Sequence, residues 1–181
     1  MDMEEKTLTK EYVFEGKILN MRKDTAEMPD GLVVEREVVE HPGGVGIALE
    51  DEEGRFYFVK QWRYAHGEQT LEFPAGKKEA GEDPLNTAKR EIVEETGYEG
   101  KDWVYLGKMY PTPAYDTEVV AFYYAKQSDF KGQHLDEDEY INLEKYTLDE
   151  MIEKCVRGDI PDAKTMSMLL LIQAKKERGE L

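Results

Sequence analysis

The sequence predicts an α+β fold, an α/β/α sandwich in which a mixed sheet is flanked by helices, with extra antiparallel strands at the N-terminus. Two observations lead to this prediction. Segments with the period-two alternation of strands dominate roughly the first two-thirds of the 181-residue chain and are interrupted by one clear helix. Two further helical segments then complete the chain. No internal repeat or low-complexity linker divides it, and its length suffices for a sizeable core.

The N-terminal strands are predicted over residues 9–40. Apolar residues alternate around Tyr12 and Phe14, and again from Val33 to Val39, on either side of the turn sequence Met28–Gly31. These strands are too few and too exposed to be stable alone. We therefore expect residues 1–40 to form a β extension concerned with dimerisation, and residues 41–181 to form the main domain.

The next segments predict a β-hairpin and a short strand. Apolar runs at Gly44–Glu50 and Arg55–Trp62 flank the turn Asp51–Gly54, an arrangement typical of a hairpin. A strand at Thr70–Phe73 then leads into a loop at residues 74–82.

The first helix is predicted over Asp83–Thr96. Asp83 can accept the hydrogen bond of an N-cap, Pro84 suits the first helical position, and Gly97 suits the position after the last turn. Its apolar side consists of Leu85, Ala88 and Ile92. The remaining predictions are strands at Trp103–Met109 and Glu118–Ala125, a further strand after the acidic loop Asp136–Glu139, and helices at Leu148–Arg157 and Ala163–Lys176.

The composition excludes several classes of function. Forty acidic residues against twenty-four basic ones give a net charge of −16, which argues against a nucleic-acid groove or an anionic membrane surface. A phosphate-bearing substrate would need a divalent cation or local arginines to approach this field. The single cysteine, Cys155, excludes an intramolecular disulfide and suits a reducing compartment. The N-terminus lacks signal-peptide features, so we expect a soluble, cytoplasmic protein.

An acidic cluster lies on the predicted helix. Glu91, Glu94 and Glu95 are three and four residues apart, so they project from one side of the helix, with Arg90 as the local counter-charge. Several carboxylates at one place suit a hard divalent cation, either Mg²⁺ or Mn²⁺. The alternative is an ordinary solvated acidic face that pairs with lysines.

The spacing of the segment Gly76–Tyr98 is more specific than the cluster. Gly76, five residues, Glu82, seven residues and then Arg90–Tyr98 match every fixed position of the Nudix box. The chain therefore resembles the Nudix hydrolase superfamily. Segments outside the box resemble its ADP-ribose pyrophosphatase branch, and the resemblance covers nearly the whole chain; these segments are Val59–Arg63, Glu72–Gly76, Asp136–Glu139 and Asp162–Thr165.

The resemblance implies a loop–helix–loop that holds Mg²⁺, or alternatively Mn²⁺, against a diphosphate. The metal ligands that it implies are the Ala75 carbonyl, Glu91, Glu95 and Glu139. Glu94 would share metal or water contacts.

Three further positions of the resemblance concern catalysis. Arg90 would hold the glutamates in place, and Glu82 would orient Arg90 or a metal-bound water. We expect Glu137 to be the general base and Glu139 mainly a ligand, although these two could exchange roles. The acidic loop could also be a plain surface loop.

Substrate contacts are implied at several further positions. Arg63 would contact a phosphate or ribose, or form a surface ion pair, and Glu72 would accept from a ribose hydroxyl, or lie at a strand edge. Arg36 would pack against adenine from a neighbouring subunit. In the loop at residues 112–118, Pro113 and Glu118 match the branch.

The same loop departs from the branch elsewhere. Ala114 replaces a glycine, and Tyr115 could stack on the substrate or fill a loop pocket. Inside the box, Lys78 stands where an apolar residue is usual. The departures in the loop leave the identity of the sugar open.

The resemblance implies Mg²⁺-dependent hydrolysis of ADP-ribose or a related ADP-sugar to AMP and a sugar phosphate. It also implies a homodimer with swapped N-terminal strands. Two alternatives remain at this point: a pyrophosphatase for another nucleoside diphosphate derivative, and a non-catalytic Nudix-like ligand sensor. The intact Arg90, Glu91, Glu94 and Glu95 argue against a sensor.

Overall fold

The structure, a computed structural model, describes residues 3–135 and 139–181. Across these ranges the strands are β1 (Lys6–Glu15), β2 (Asn20–Glu27), β3 (Val33–Glu40), β4 (Gly44–Glu50), β5 (Phe56–Arg63), β6 (Glu68–Glu72), β7 (Ala75–Lys77), β8 (Tyr98–Met109), β9 (Val120–Phe130) and β10 (Ile141–Tyr146). The helices are α1 (Pro84–Thr96), α2 (Leu148–Arg157) and α3 (Ala163–Glu177). None of these helices is long and apolar enough to cross a membrane.

Contacts between Cα atoms divide the chain into two compact units. The first comprises the chain up to Gly43 together with Tyr110–Val119. Its three strands form an antiparallel sheet in the order β1-β2-β3. The loop at residues 110–119 is attached to this unit through the backbone, because the Val39 amide donates to the Tyr115 carbonyl at 2.7 Å.

The second unit, Gly44–Met109 with Val120–Leu181, contains a mixed sheet in the order β10-β5-β4-β9-β8. Strand β4 runs parallel to β9 along its whole length, and the other pairings are antiparallel. One core cluster joins Ile47, Tyr57 and other sheet residues to Ala88 and Ile92 of α1. A second cluster packs other sheet residues against α2 and α3, including the fully buried Met168. The predicted fold, a mixed sheet flanked by helices with N-terminal antiparallel strands, is confirmed.

The predicted hairpin between β4 and β5 is present at its turn, but the two strands do not pair along their length. These strands pair only at the turn, where Glu50 faces Phe56. Beyond that pair, β7 takes the edge of β4 at residues 44–46, and β6 takes the edge of β5 at residues 59–63. The β6–β7 segment therefore fills the gap between two strands that separate after their turn. Apolar alternation cannot reveal this, because both arrangements bury the same faces.

Helix α1 begins and ends where its sequence predicts. The Asp83 side chain accepts from the Leu85 amide, and Pro84 occupies the first turn. Gly97 has a φ of 79°, and its amide donates to the Val93 carbonyl at 2.8 Å. A side chain at Gly97 would also lie 2.9 Å from the Gln133 amide nitrogen, so both the conformation and the space require glycine.

Candidate active site

The β6–β7 segment and α1 bring two glutamates of the box against the backbone at Ala75 and Gly76. The Glu95 carboxylate accepts a hydrogen bond from the Ala75 amide at 3.1 Å, and Glu95 is only 3% exposed. A Cβ atom at Gly76 would lie 1.8 Å from the Cδ atom of Glu91. Glycine is therefore needed here so that the Glu91 carboxylate can reach the backbone of the loop.

Arg90 links the acidic residues of the box. Its Nη1 donates to Glu91 Oε1 and to Glu94 Oε2, both at 2.9 Å. Its Nε and Nη2 donate to the Glu82 carboxylate at 3.3 and 3.1 Å. The hydrogen bonds from Arg90 lower the pKa of Glu82 to about 2. One guanidinium therefore fixes the orientation of three carboxylates.

Glu91 and Glu95 lie in surroundings that make ionisation of their carboxyl groups unfavourable. Burial raises the pKa of Glu95 to about 8, against the opposing hydrogen bond from Ala75. Burial likewise raises the pKa of Glu91 to about 7, although Arg90 opposes it. The alternative to a cation site was an ordinary solvated acidic face that pairs with lysines. It is wrong for Glu91, because this side chain is only 13% exposed and its partner is Arg90. Buried carboxylates of this kind are typical of functional sites.

A divalent cation is compatible with this arrangement. Among residues 3–135 and 139–181, no three His, Cys, Asp or Glu side chains are gathered into a ready metal-binding group. Mg²⁺ does not require one, because it is commonly held by one or two carboxylates, waters and substrate phosphates. Glu91 and Glu95 supply two carboxylates beside the loop backbone, where the absence of a side chain at Gly76 leaves room for a close approach.

The segment that leads into the acidic loop is attached to the end of α1. The amides of Lys131 and His134 donate to the carbonyls of Gly97 and Glu94 at 2.7 and 3.0 Å. The Gln133 side chain donates to the Glu95 carbonyl at 2.6 Å.

Glu139, the last residue of the predicted segment Asp136–Glu139, affects the ionisation of the same two glutamates. Besides burial, its negative charge contributes to the raised pKa of both Glu91 and Glu95, so it lies within electrostatic range of them. The predicted general base, Glu137, lies outside the described residues.

Arg63 and Glu72 contact each other. Arg63 donates to the Glu72 carboxylate through Nε at 2.7 Å and Nη2 at 2.5 Å. Thr70 and Lys164 also donate to this carboxylate, at 2.5 and 3.1 Å. Burial opposes ionisation of Glu72, but the bonds from Arg63 and the charge of Lys164 outweigh it and lower the pKa to about 2. Glu72 is 2% exposed, so the alternative of a surface residue at a strand edge is wrong.

Four other predicted substrate residues lie in the first unit. Arg36 forms an ion pair with Glu5 at 2.8 Å. Pro113 and Tyr115 are exposed in the loop at residues 110–119, and Tyr115 contacts β3 through its backbone. Glu118 Oε1 lies 3.4 Å from His41 Nδ1. The residues brought together in the second unit are Arg63, Glu72, Ala75, Glu82, Arg90, Glu91, Glu94, Glu95 and Glu139.

Two residues of the site were not singled out from the sequence. Lys164 and Thr165, at the start of α3, contact the segment that carries Glu72 and Phe73. Their motif, Asp162–Thr165, is part of the family resemblance, but the resemblance implies no role for it. The signal that could have identified them is the resemblance of this motif to the ADP-ribose pyrophosphatase branch.

Comparison with known proteins agrees with this geometry. The NUDIX domain matches residues 40–169, and the nucleoside diphosphate sugar hydrolase N-terminal domain matches residues 5–45. An ADP-ribose pyrophosphatase of Bacillus subtilis (strain 168) is 35% identical over 176 residues, which cover 96% of this chain and 95% of that protein. A methanol dehydrogenase activator of Bacillus methanolicus is 37% identical over 175 residues, with the same coverage of 96% and 95%.

A solved structure shares the fold over the whole chain. The crystal structure of an ADP compounds hydrolase superposes with a TM-score of 0.85 and covers 100% of both chains at 19% identity. The NUDIX match spans most of the sequence and includes every residue gathered around Glu91 and Glu95. The chain belongs to the Nudix hydrolase family.

Proposed function

We propose that the protein hydrolyses the diphosphate linkage of ADP-ribose, or of a related ADP-sugar, to AMP and a sugar phosphate with the help of a divalent cation. The observation that carries this proposal is the pair of buried carboxylates, Glu91 and Glu95, held beside the glycine backbone by Arg90. The names of the ADP-ribose pyrophosphatase and the ADP compounds hydrolase support the choice of an ADP-linked substrate.

The cation would be Mg²⁺, or Mn²⁺ in its place, held by the Ala75 carbonyl, Glu91, Glu95 and Glu139. Oxygen ligands of this kind suit hard divalent cations rather than softer metals. When bound, the cation would neutralise diphosphate charge and lower the pKa of a coordinated water. It would also add positive charge beside Glu91 and Glu95, whose ionisation is opposed by burial.

The other roles in the proposed reaction, which are orientation of the carboxylates and proton transfer, belong to side chains of the protein. Arg90 holds Glu91 and Glu94 in one orientation, and Glu82 fixes Arg90 from its other edge. Glu137 accepts the proton of the attacking water as general base, and Glu139 acts mainly as a ligand. Glu94, which is more exposed than Glu91, shares contacts with the cation or its waters.

In this proposal Arg63 contacts the substrate phosphates or ribose. Glu72 orients Arg63 and does not itself contact the ribose. Both oxygens of Glu72 already accept two hydrogen bonds each, which fills the capacity of a carboxylate. A ribose hydroxyl would therefore have to displace an existing donor. The Arg63 side chain is 41% exposed, and the bidentate bond to Glu72 fixes its plane for an incoming anion.

The N-terminal strands support a homodimer. Every residue of β1 is exposed, including Tyr12, Val13 and Phe14, which are 49%, 54% and 56% exposed. A short three-stranded sheet that leaves such side chains in water gains little from folding alone. We therefore propose that residues 1–40 form a β extension to the main domain at 41–181 and exchange with a second copy of the chain. Arg36 would then pack against the adenine bound by the neighbour.

Sedimentation velocity tests the dimer directly. A dimer at micromolar concentration is expected, and deletion of β1 should shift it towards monomer. A wild-type monomer under these conditions would contradict the exchange of strands. The single cysteine, Cys155, supports a cytoplasmic location, because it suits a reducing compartment.

A panel of substrates tests the activity. Purified protein is incubated with Mg²⁺ and, separately, ADP-ribose, GDP-mannose, diadenosine polyphosphates or 8-oxo-dGTP, and the products are separated by chromatography. Preferred cleavage of ADP-ribose is expected. Preference for another compound would favour the alternative nucleoside diphosphate substrate, which the departures at Ala114 and Tyr115 leave open. No turnover of any compound would favour the ligand sensor.

A further inference from the structure

The start of α3 binds the short segment Glu72–Phe73 at three points, two on the backbone and one on a side chain. The Phe73 amide donates to Thr165 Oγ1 at 2.9 Å, and Thr165 is completely buried. The Phe73 carbonyl accepts from Lys164 Nζ at 3.2 Å. Lys164 also donates to Glu72 in the same segment. Residues more than ninety positions apart in sequence are thus joined at both of the peptide groups that flank the Phe73 Cα atom.

The two α3 residues that bind this segment, Lys164 and Thr165, are called the clamp, and they are themselves held in place by Asp162. Asp162 caps α3 by accepting from the Thr165 amide at 2.8 Å, and the same oxygen accepts from Lys164 Nζ at 2.9 Å. The ammonium of Lys164 therefore has three acceptors, Glu72, Phe73 and Asp162, for its three protons. Side chains fixed at both ends in this way lose their rotamer freedom and transmit position well.

The clamped backbone leads directly into the proposed cation site. The next residue, Pro74, has its carbonyl bound by the Ile47 amide at 2.8 Å. The Ala75 amide donates to Glu95, and Gly76 lies against Glu91. The residues from Phe73 to Gly76 are therefore held by contacts from three elements, α3, β4 and α1. These contacts set the orientation of the Ala75 carbonyl.

We infer that Lys164 and Thr165 are positioning residues that hold the backbone at Phe73 and so aim the Ala75 carbonyl at the cation that Glu91 and Glu95 bind. This inference rests on the proposed function for its choice of ligand. A shift of even about 1 Å in a site of this kind can lower a rate about a hundredfold. Without the bonds from α3, the backbone at Phe73 would lose the partners of both its amide and its carbonyl.

The experiment compares Thr165→Val with Thr165→Ser. Valine has nearly the same shape but removes the acceptor for the Phe73 amide, whereas serine keeps it. Binding of Mn²⁺ in the absence of substrate is measured by titration calorimetry, and exchange of the Phe73 amide is followed by NMR. Loss of a single hydrogen bond predicts about a fivefold weaker Mn²⁺ affinity and faster exchange in Thr165→Val, with both restored in Thr165→Ser. With ADP-ribose, kcat should fall while KM stays unchanged.

A matched control separates positioning from stability. Thr147 caps a different helix, α2, by accepting from the Glu150 amide, so Thr147→Val removes a similar bond outside the segment Glu72–Gly76. This variant should unfold at a lower temperature yet bind Mn²⁺ as the wild type does. Lys164→Met serves as the second probe if Thr165→Val does not fold, and it should also weaken Mn²⁺ binding.

The outcomes distinguish the inference from the proposed function. If Thr165→Val and Lys164→Met bind Mn²⁺ as tightly as the wild type and lose only thermal stability, the positioning role is wrong. Absence of Mn²⁺ binding by the wild type would overturn it as well. If the wild type binds Mn²⁺ but cleaves no nucleotide while the variants bind more weakly, the proposed function fails and the positioning role stands.

Discussion

Replacement of Glu72 by glutamine should destabilise the protein in a manner that depends on pH. The Glu72 carboxylate is buried and bound by Arg63, Thr70 and Lys164, and its pKa is lowered from 4.5 to about 2. A difference of about 2.5 units corresponds to about 3 kcal/mol of the free energy of unfolding at neutral pH. For a chain of this size, Glu72→Gln should lower Tm by roughly 6–12 °C at pH 7.

The direction of the pH dependence follows from the lowered pKa. Because the folded state holds the Glu72 proton less tightly than the unfolded state, the stabilisation is present above the unfolded pKa of 4.5 and is lost as pH falls towards about 2. At about pH 3 the expected difference between wild type and Glu72→Gln is less than half of its value at pH 7. Thermal unfolding followed by circular dichroism at several pH values measures this difference.

A neighbouring glutamate supplies the control. Glu68 lies on the same strand and is exposed, so Glu68→Gln should change the free energy of unfolding by no more than about 0.5 kcal/mol at any pH. If the difference between wild type and Glu72→Gln stayed constant from pH 7 to pH 3, the ion pairs around Glu72 would not be its cause. The reasoning about Arg63 and Lys164 would then be refuted.

Three further changes test the catalytic residues. Gly76→Ala places a Cβ atom 1.8 Å from the Glu91 carboxylate, so kcat with ADP-ribose should fall at least about tenfold, and a normal rate would show that Glu91 need not approach this backbone. Arg63→Ala should chiefly raise KM in steady-state kinetics, since it removes a proposed phosphate contact, and an unchanged KM would exclude Arg63 from the substrate site. Glu137→Gln should lower kcat about a hundredfold or more while leaving the Mg²⁺ dependence of the rate nearly intact, whereas a large shift in that dependence would make Glu137 a ligand.

Local signals explain what could be predicted from the sequence. Helix α1 is set by Asp83, Pro84 and Gly97, and these act within one turn of their own positions. The grouping of Glu91, Glu94 and Arg90 follows from the helical repeat alone. Such features depend on neighbours close in sequence, so they can be found without knowledge of the tertiary structure.

Contacts distant in sequence explain what could not be predicted. The bond between Arg63 and Glu72 depends on the pairing of β5 with β6, which in turn depends on β4 and β5 separating after their turn. The clamp from Lys164 and Thr165 joins residues 91 and 92 positions from Phe73. Hydrophobic periodicity identifies the faces of these elements but not which polar groups meet at their ends.

The most direct test of the proposed chemistry is the rate of ADP-ribose cleavage by the wild type and Glu95→Gln, each with Mg²⁺ and with EDTA. Glutamine preserves the shape of Glu95 but removes the charge of a proposed metal ligand beside Ala75. We predict formation of AMP and ribose 5-phosphate by the wild type with Mg²⁺, none with EDTA, and a loss of about three orders of magnitude or more in Glu95→Gln. Cleavage by Glu95→Gln at a near-normal rate, or by the wild type in EDTA, would contradict the account.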